Sequence, residues 1–204
     1  MASFEVVRHQ ATVAGRVVDA QSGVALAGAA VEITLGPAAF TAWLAAKALA
    51  FGSGWAALAE RPDRTRTKPD GHFHFLDLPD GQYTLSVRTT GSGTRYGSAQ
   101  TTATVARDSQ GKATSAPVKA LLQPTTITGR VSRNGAVVAM ARIGIKGTGE
   151  YTYSDDTGRY ALAGVEAGAR TVVASAQGCQ PASQTVTLAA AGAVATLDFA
   201  MVPA

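Results

Sequence analysis

With a single cysteine, Cys179, among 204 residues, the chain can form no internal disulfide and no multi-cysteine metal centre. Charge is equally sparse: 16% of residues are charged, and 18 basic against 14 acidic side chains leave a net +4 with no concentrated basic stripe. Nucleic acid is therefore not an expected partner. The most apolar stretch, residues 37–60, is broken by Lys47 and by Gly52-Ser-Gly54. A hydrophobic core wide enough for a bilayer needs about 20 unbroken apolar residues, so no membrane span is expected. The first residues, Met-Ala-Ser-Phe-Glu-Val-Val-Arg8, lack an apolar signal core and a cleavage site. The expectation is a chain that stays in the cytoplasm, one that leaves the cell within a larger particle, or one whose natural start has been trimmed away.

Catalytic signatures are missing as well. No strand-turn-helix nucleophile elbow surrounds a serine, no histidine neighbours a serine or cysteine motif, and no glycine loop is suited to phosphate. The expectation is of no catalytic residue and no cofactor. His72 and His74 point to one side of a strand and could begin a zinc site, but a third ligand is offered only by His9 or Asp70. Metal is not expected there. Cys179 reads as a small buried filler, because no basic neighbourhood would activate its thiol.

What the sequence does hold is a repeat. Thr12-Val-Ala-Gly-Arg-Val-Val18 returns as Thr126-Ile-Thr-Gly-Arg-Val-Ser132, and the turn-and-strand Asp70-Gly-His-Phe-His-Phe75 returns as Thr157-Gly-Arg-Tyr-Ala-Leu162. Gly15 and Gly129 lie 114 positions apart, but Gly71 and Gly158 only 87, so the first copy carries about 27 extra residues between these landmarks. Both copies alternate apolar and polar residues with period two. Phe73 and Phe75, like Tyr160 and Leu162, fall on one strand face with His72, His74, Arg159 and Ala161 on the other. Glycine turns at Gln21-Ser-Gly23, Pro79-Asp-Gly81, Arg133-Asn-Gly135 and Asp156-Thr-Gly158 punctuate the strands. Short alternating strands between such turns call for two-layer antiparallel packing.

The series Gly-Arg-Val, Ala-Gly-Ala-Ala-Val-Glu-Ile33, Asp-Gly-His-Phe-His-Phe75 and Leu-Pro-Asp-Gly-Gln-Tyr-Thr-Leu85 resembles the carboxypeptidase regulatory-like domain family. The resemblance covers residues 12–35 and 65–122, and more weakly 126–202. It implies an all-β fold of two tandem transthyretin-like antiparallel β-sandwiches. The expected divisions are an N-terminal segment 1–11, a first sandwich 12–123 and a second 124–204. Such domains serve as accessory modules in unrelated proteins, so the resemblance speaks to fold and little to function. A ureide hydrolase shares the sandwich but depends on a C-terminal Tyr-Arg-Gly-Ser motif that this chain lacks. Relatives sealed by a Lys–Asn bond find only one asparagine here, Asn134, in a turn.

The insert of the first copy, residues 37–63, switches to alanine, leucine and aromatics, which favour helix. Pro37 suits a helix start, Gly52 a stop and Ser53 a second start, so a helical hairpin over 38–51 and 54–61 is expected. Phe40, Trp43, Leu44 and Phe51 fall near one helical stripe, and Trp43 and Trp55 are the only tryptophans. The stripe either covers a sheet edge of its own sandwich or docks on another protein; Phe40, Trp43, Leu44, Phe51 and Trp55 are then the partner-binding residues. Arg64, Arg66 and Lys68 read as a solvated strand face. The preferred function is a non-enzymatic structural or adaptor module in a larger bacterial assembly. A phage-tail-like contractile particle is the setting suggested by related domains, with Phe4, Val6 and Val7 able to add a strand. The alternative is a carbohydrate-binding module using Tyr151 and Tyr153, which share a strand face.

Overall fold

The structure, a computed structural model, describes residues 9–58 and 61–204. Phe4, Val6 and Val7 lie outside the described residues. The chain divides into two compact units, one running to Thr90 and resuming at Ser98–Leu122, the other comprising Gly91–Gly97 and Gln123–Ala204.

The first unit is a sandwich of two sheets. Its strands are β1 (Ala11–Asp19), β2 (Ala30–Leu35), β3 (Arg64–Arg66), β4 (His72–Leu76), β5 (Gly81–Arg88), β6 (Ala99–Arg107), β7 (Ala113–Thr114) and β8 (Val118–Leu122). One sheet has the order β4-β1-β8 and the other β3-β2-β5-β6-β7. The alternation read from the sequence is what fills the space between them. Val13, Val17, Phe73, Phe75, Val31, Ile33, Tyr83, Leu85 and Val87 are all buried; on β4 the neighbours His72, His74 and Leu76 face out, whereas on β1 Thr12 and Val18 are buried too.

The second unit repeats this plan with β9 (Thr126–Arg133), β10 (Ala136–Val137), β11 (Arg142–Ile145), β12 (Tyr151–Tyr153), β13 (Arg159–Ala163), β14 (Gly168–Ser175), β15 (Ala182–Leu188), β16 (Val194–Thr196) and β17 (Phe199–Met201). One sheet is built on β9, flanked by β13 and by β16 and β17; the other has the order β12-β11-β14-β15. Its core gathers Ile127, Val131, Ile143, Tyr160, Leu162, Val172, Leu188 and Phe199.

The landmarks of the repeat acquire a physical cause. Gly15 and Gly129 sit where an aromatic ring of the neighbouring strand comes close against the backbone. A Cβ on Gly15 would meet the Phe73 ring and the Val118 carbonyl at 2.5 Å, and one on Gly129 the Leu197 carbonyl at 1.9 Å and the Tyr160 ring at 2.9 Å. Each is followed by an arginine doing the same job: Arg16 Nε donates to the Asp70 carbonyl (3.0 Å) and Arg130 Nε to that of Thr157 (3.2 Å). Side chains as well as strands are duplicated.

Two expectations need correcting. The sheets are not purely antiparallel, because β8 pairs with β1 in parallel and β16 and β17 do so with β9. The last strand of each unit crosses over to reach the open side of the first strand, and it arrives running the same way. The insert is also not a pair of α-helices. It forms α1 (Ala38–Phe51), as expected, but then a 3₁₀ turn over Gly52–Ala57. Gly52 takes φ 74° and ends α1; Ser53 caps nothing, and Gly54 so soon after Gly52 leaves too short a run for a second α-helix.

A candidate docking arm and groove in the first unit

The insert interrupts the β2–β3 hairpin, which the second unit closes with a short turn between β11 and β12. It is fastened at both ends. At its start, Phe40 is 3% exposed and packs edge-on against Tyr83 (centroids 5.5 Å) and stacks with Trp43 (6.0 Å). Tyr83 donates to the Pro79 carbonyl at 2.8 Å, and its burial pushes the phenol up to about 12. At its end, Arg61 clasps Asp63 with both Nε (2.9 Å) and Nη2 (2.8 Å), reaches the Trp55 carbonyl (3.3 Å) and lies over the Trp55 ring at 5.2 Å. Both side chains of this ion pair are more than nine-tenths buried. Glu32 completes the cluster, accepting from Arg64 at 3.0 Å and from Arg61 at 3.4 Å.

Between these fastenings the arm stands in solvent. Phe40 is the only buried residue of α1. Trp43 is 44% exposed, Phe51 56% and Leu49 86%; Leu44 and Trp55 are half-buried. The expected stripe is therefore divided: Phe40 is a root inside its own sandwich, whereas Trp43 and Phe51 remain open. Leu49 was missed, because it lies on the helix side opposite Phe40 and the sequence reading followed a single stripe. The apolar character of α1 on every side is the signal that could have found it.

Where the root of α1 meets the sandwich, a groove of about 750 Å³ opens between β3 and β4, the end strands of the two sheets. Its lining runs from Phe40 and Trp43 to His74, Leu76 and Leu78, with His9 at one lip. Leu76 is 44% exposed. The backbone of β4 offers part of this surface. Val17 N–H donates to the Gly71 carbonyl (2.9 Å) and Asp77 N–H to the Gln10 carbonyl (2.9 Å), so odd-numbered residues of β4 direct their backbone groups at β1. By the antiparallel alternation, His74 and Leu76 turn their N–H and C=O groups away from β1; His72, in the same phase, accepts from Lys68 N–H at 2.8 Å on that outer side.

The remaining sequence candidates are dispersed. His72 Nδ1 pairs with Asp70 (3.2 Å), and His9 Nδ1 pairs with Asp77. Two hydrogen bonds, first from Gln10 N–H and then from His9, hold the Asp77 carboxyl below its ordinary value. Among the described residues no three histidine, cysteine or acidic side chains gather as metal ligands. Arg64 is engaged with Glu32 and Arg66 with Thr90 and the Gly28 carbonyl (3.3 Å), so the stretch is not the freely solvated face expected of it. Cys179 is buried, with Arg133 Nη1 3.9 Å from its sulfur.

In the second unit Tyr151 and Tyr153 are exposed, but their rings stand at 81° to each other (centroids 5.7 Å) and Arg142 covers Tyr151 at 4.4 Å. They form no flat platform. Sequence reading also missed a polar cluster there. Arg95 pairs with Glu150 and with Glu166 (3.2 Å) around a depression of about 300 Å³.

Residues 126–202 match the carboxypeptidase regulatory-like domain family. No curated protein matches the chain. Among solved structures, the shaft pilin SpaA of Lactobacillus rhamnosus GG is similar at 14% identity and a TM-score of 0.41, covering 97% of this chain and 98% of that one. A cohesin–X-dockerin complex chain from Acetivibrio cellulolyticus shows 19% identity and a TM-score of 0.31 over 38% of this chain. Its matched part is 56% of its own length. The Bacillus anthracis TIE protein shows 10% identity and a TM-score of 0.37, with 95% of this chain and 34% of that one covered.

Proposed function

We propose that this chain is a non-enzymatic structural or adaptor module that docks on a partner protein through the exposed part of α1. The observation that carries the reading is the exposure of Trp43, Leu49 and Phe51 on a helix with one buried residue. A lone 14-residue helix is marginal in water even when rich in alanine, and apolar side chains this open add no stability to it. Burying each against a partner is worth about 1.5–3 kcal/mol, and tryptophan is prominent among residues that dominate interfaces. The setting we favour is a larger bacterial assembly such as a contractile, phage-tail-like particle, reached from the cytoplasm.

A glycan-binding role has less support, since the perpendicular Tyr151 and Tyr153 rings present no flat stacking surface. The test is a double variant, Leu49→Ser with Phe51→Ser, in the native host. It should keep the wild-type melting temperature and lose the co-purifying partner complex. Retention of that complex at wild-type yield would refute docking through the arm.

A further inference from the structure

In the second unit β15 is a seven-residue strand, Ala182–Leu188, without charge, proline or glycine. It pairs along its whole length with β14 and ends the sheet β12-β11-β14-β15, with no strand on its outer side. Such a strand offers a row of N–H and C=O groups to another main chain, and proteins ordinarily guard it by keeping it short or charged. Among the described residues the other terminal strands are guarded in this way. β3, β7, β10, β12, β16 and β17 have three residues or fewer, whereas β4 carries His72 and His74, β8 carries Lys119 and β13 carries Arg159. The long β6 of the first unit ends in Arg107 and has β7 beside its last two residues. β15 has neither protection.

We infer that β15 pairs antiparallel with β15 of a second copy of this chain, about a two-fold axis at Thr185, so that two four-stranded sheets become one. The strand is complementary to itself in that register. Ser183, Thr185 and Thr187 lie exposed on one strand face. The two-fold axis sets Thr185 against its own counterpart and Ser183 against Thr187 of the second copy. Facing side chains on that side are then all hydroxyls, a favourable cross-strand pairing, and no charge meets a like charge. Thr185 already stands in such a pair within the chain: its Oγ1 lies 3.5 Å from that of Thr171, its neighbour on β14. The lack of charge also selects the occupant, because an acidic or basic strand finds no counter-charge along β15, whereas a second copy brings a neutral one. With one such edge per chain, a two-fold contact closes at the dimer. A contact of main-chain bonds and small side chains is at the low end of interface sizes, so a dissociation constant on the order of 100 μM is expected. The inference concerns the second unit and goes beyond docking through α1 of the first.

Sedimentation of the full chain from about 5 to about 500 μM tests it. The wild type should pass from monomer to dimer across that range, and alternate amides of β15 should gain protection from hydrogen exchange as it does. Thr185→Lys and Thr185→Asp each set like charges together at the axis, and each should weaken the dimer by about tenfold or more while keeping the wild-type melting temperature. An equimolar mixture of the two variants should dimerise again, since lysine then faces aspartate; failure to do so would refute the axis at Thr185. The Leu49→Ser, Phe51→Ser double variant should dimerise as the wild type does, which separates this inference from docking through the arm. A wild type that stays monomeric throughout would overturn the inference. So would a dimer that survives Thr185→Lys unchanged, or one that dissociates only in the arm variant. Protection of β15 found solely in a complex with a different protein would assign the edge to that protein's strand and would overturn it as well.

Discussion

One carboxylate oxygen of Glu166 receives both hydrogen bonds that Thr94 can donate, from the backbone N–H at 2.8 Å and from Oγ1 at 2.5 Å. Thr94 Oγ1 in turn accepts from Ala167 N–H at 2.8 Å, and its carbonyl accepts from Thr125 Oγ1 at 2.6 Å. Gly93, at φ 58°, leaves room for the carboxylate: a Cβ there would lie 2.6 Å from Glu166 Oε1. A threonine between β5 and β6 is thus a structural part of the second unit.

The Thr94 side chain, then its backbone N–H, then Arg95 and Arg170 hold the Glu166 carboxyl below its ordinary value. A depressed folded-state pKa stabilises above the unfolded value and is lost as pH falls through the folded one. Melting temperature should therefore fall more steeply below about pH 4.5 in the wild type than in Glu166→Gln, the two curves converging at low pH. Calorimetry across that range decides it, and parallel curves would count against the assignment.

Residues 123–204 alone lack the segment 91–97 that belongs to their unit. They lose the Arg95 pairs with Glu150 and Glu166 and the bond from Thr125 N–H to the Arg95 carbonyl (2.8 Å). A fragment of 123–204 should melt lower than the same unit in the whole chain. A synthetic peptide of residues 90–98 should restore part of the difference, whereas one carrying Thr94→Ala should not.

Gly129→Ala forces a methyl group into the Leu197 carbonyl, and overpacking of this kind costs about 1–3 kcal/mol. Gly23→Ala is the control: its φ is 71° but nothing lies within 4 Å, so only backbone strain of about 1 kcal/mol applies. Urea denaturation should rank Gly129→Ala well below Gly23→Ala in stability, and equal midpoints would refute the steric account.

Arg61→Ala leaves Asp63 buried without its cation, for which a loss of about 3–5 kcal/mol is expected. Since Arg61 also holds the Trp55 carbonyl, the variant should release the 3₁₀ turn and change tryptophan emission. Arg61→Lys cannot grip both Asp63 oxygens and should recover only part of the loss. Thermal melts followed by fluorescence measure both effects.

Much of the architecture could be read before the structure because its signals are local. Alternation placed Phe73, Phe75, Tyr160 and Leu162 in the cores, and the glycine landmarks marked the repeat and the insert within its first copy. What stayed hidden depends on partners distant in sequence. Nothing near Thr94 announces Glu166, 72 residues on, and nothing around Val118 announces that β8 runs parallel to β1. The arm shows the same limit. Composition gave α1, but only the position of Tyr83 decides that Phe40 is a root and Leu49 is not.

The second unit turns from β11 to β12 within a few residues, while the first spends the same junction on its arm. Because β2 and β3 pair with each other, the excursion leaves and re-enters the sandwich at neighbouring strand ends. Such a junction works as a cassette slot. The two ends of the excursion already lie side by side, so its exposed middle can vary in length at small entropic cost provided that the fastenings at Phe40 and Arg61 are kept.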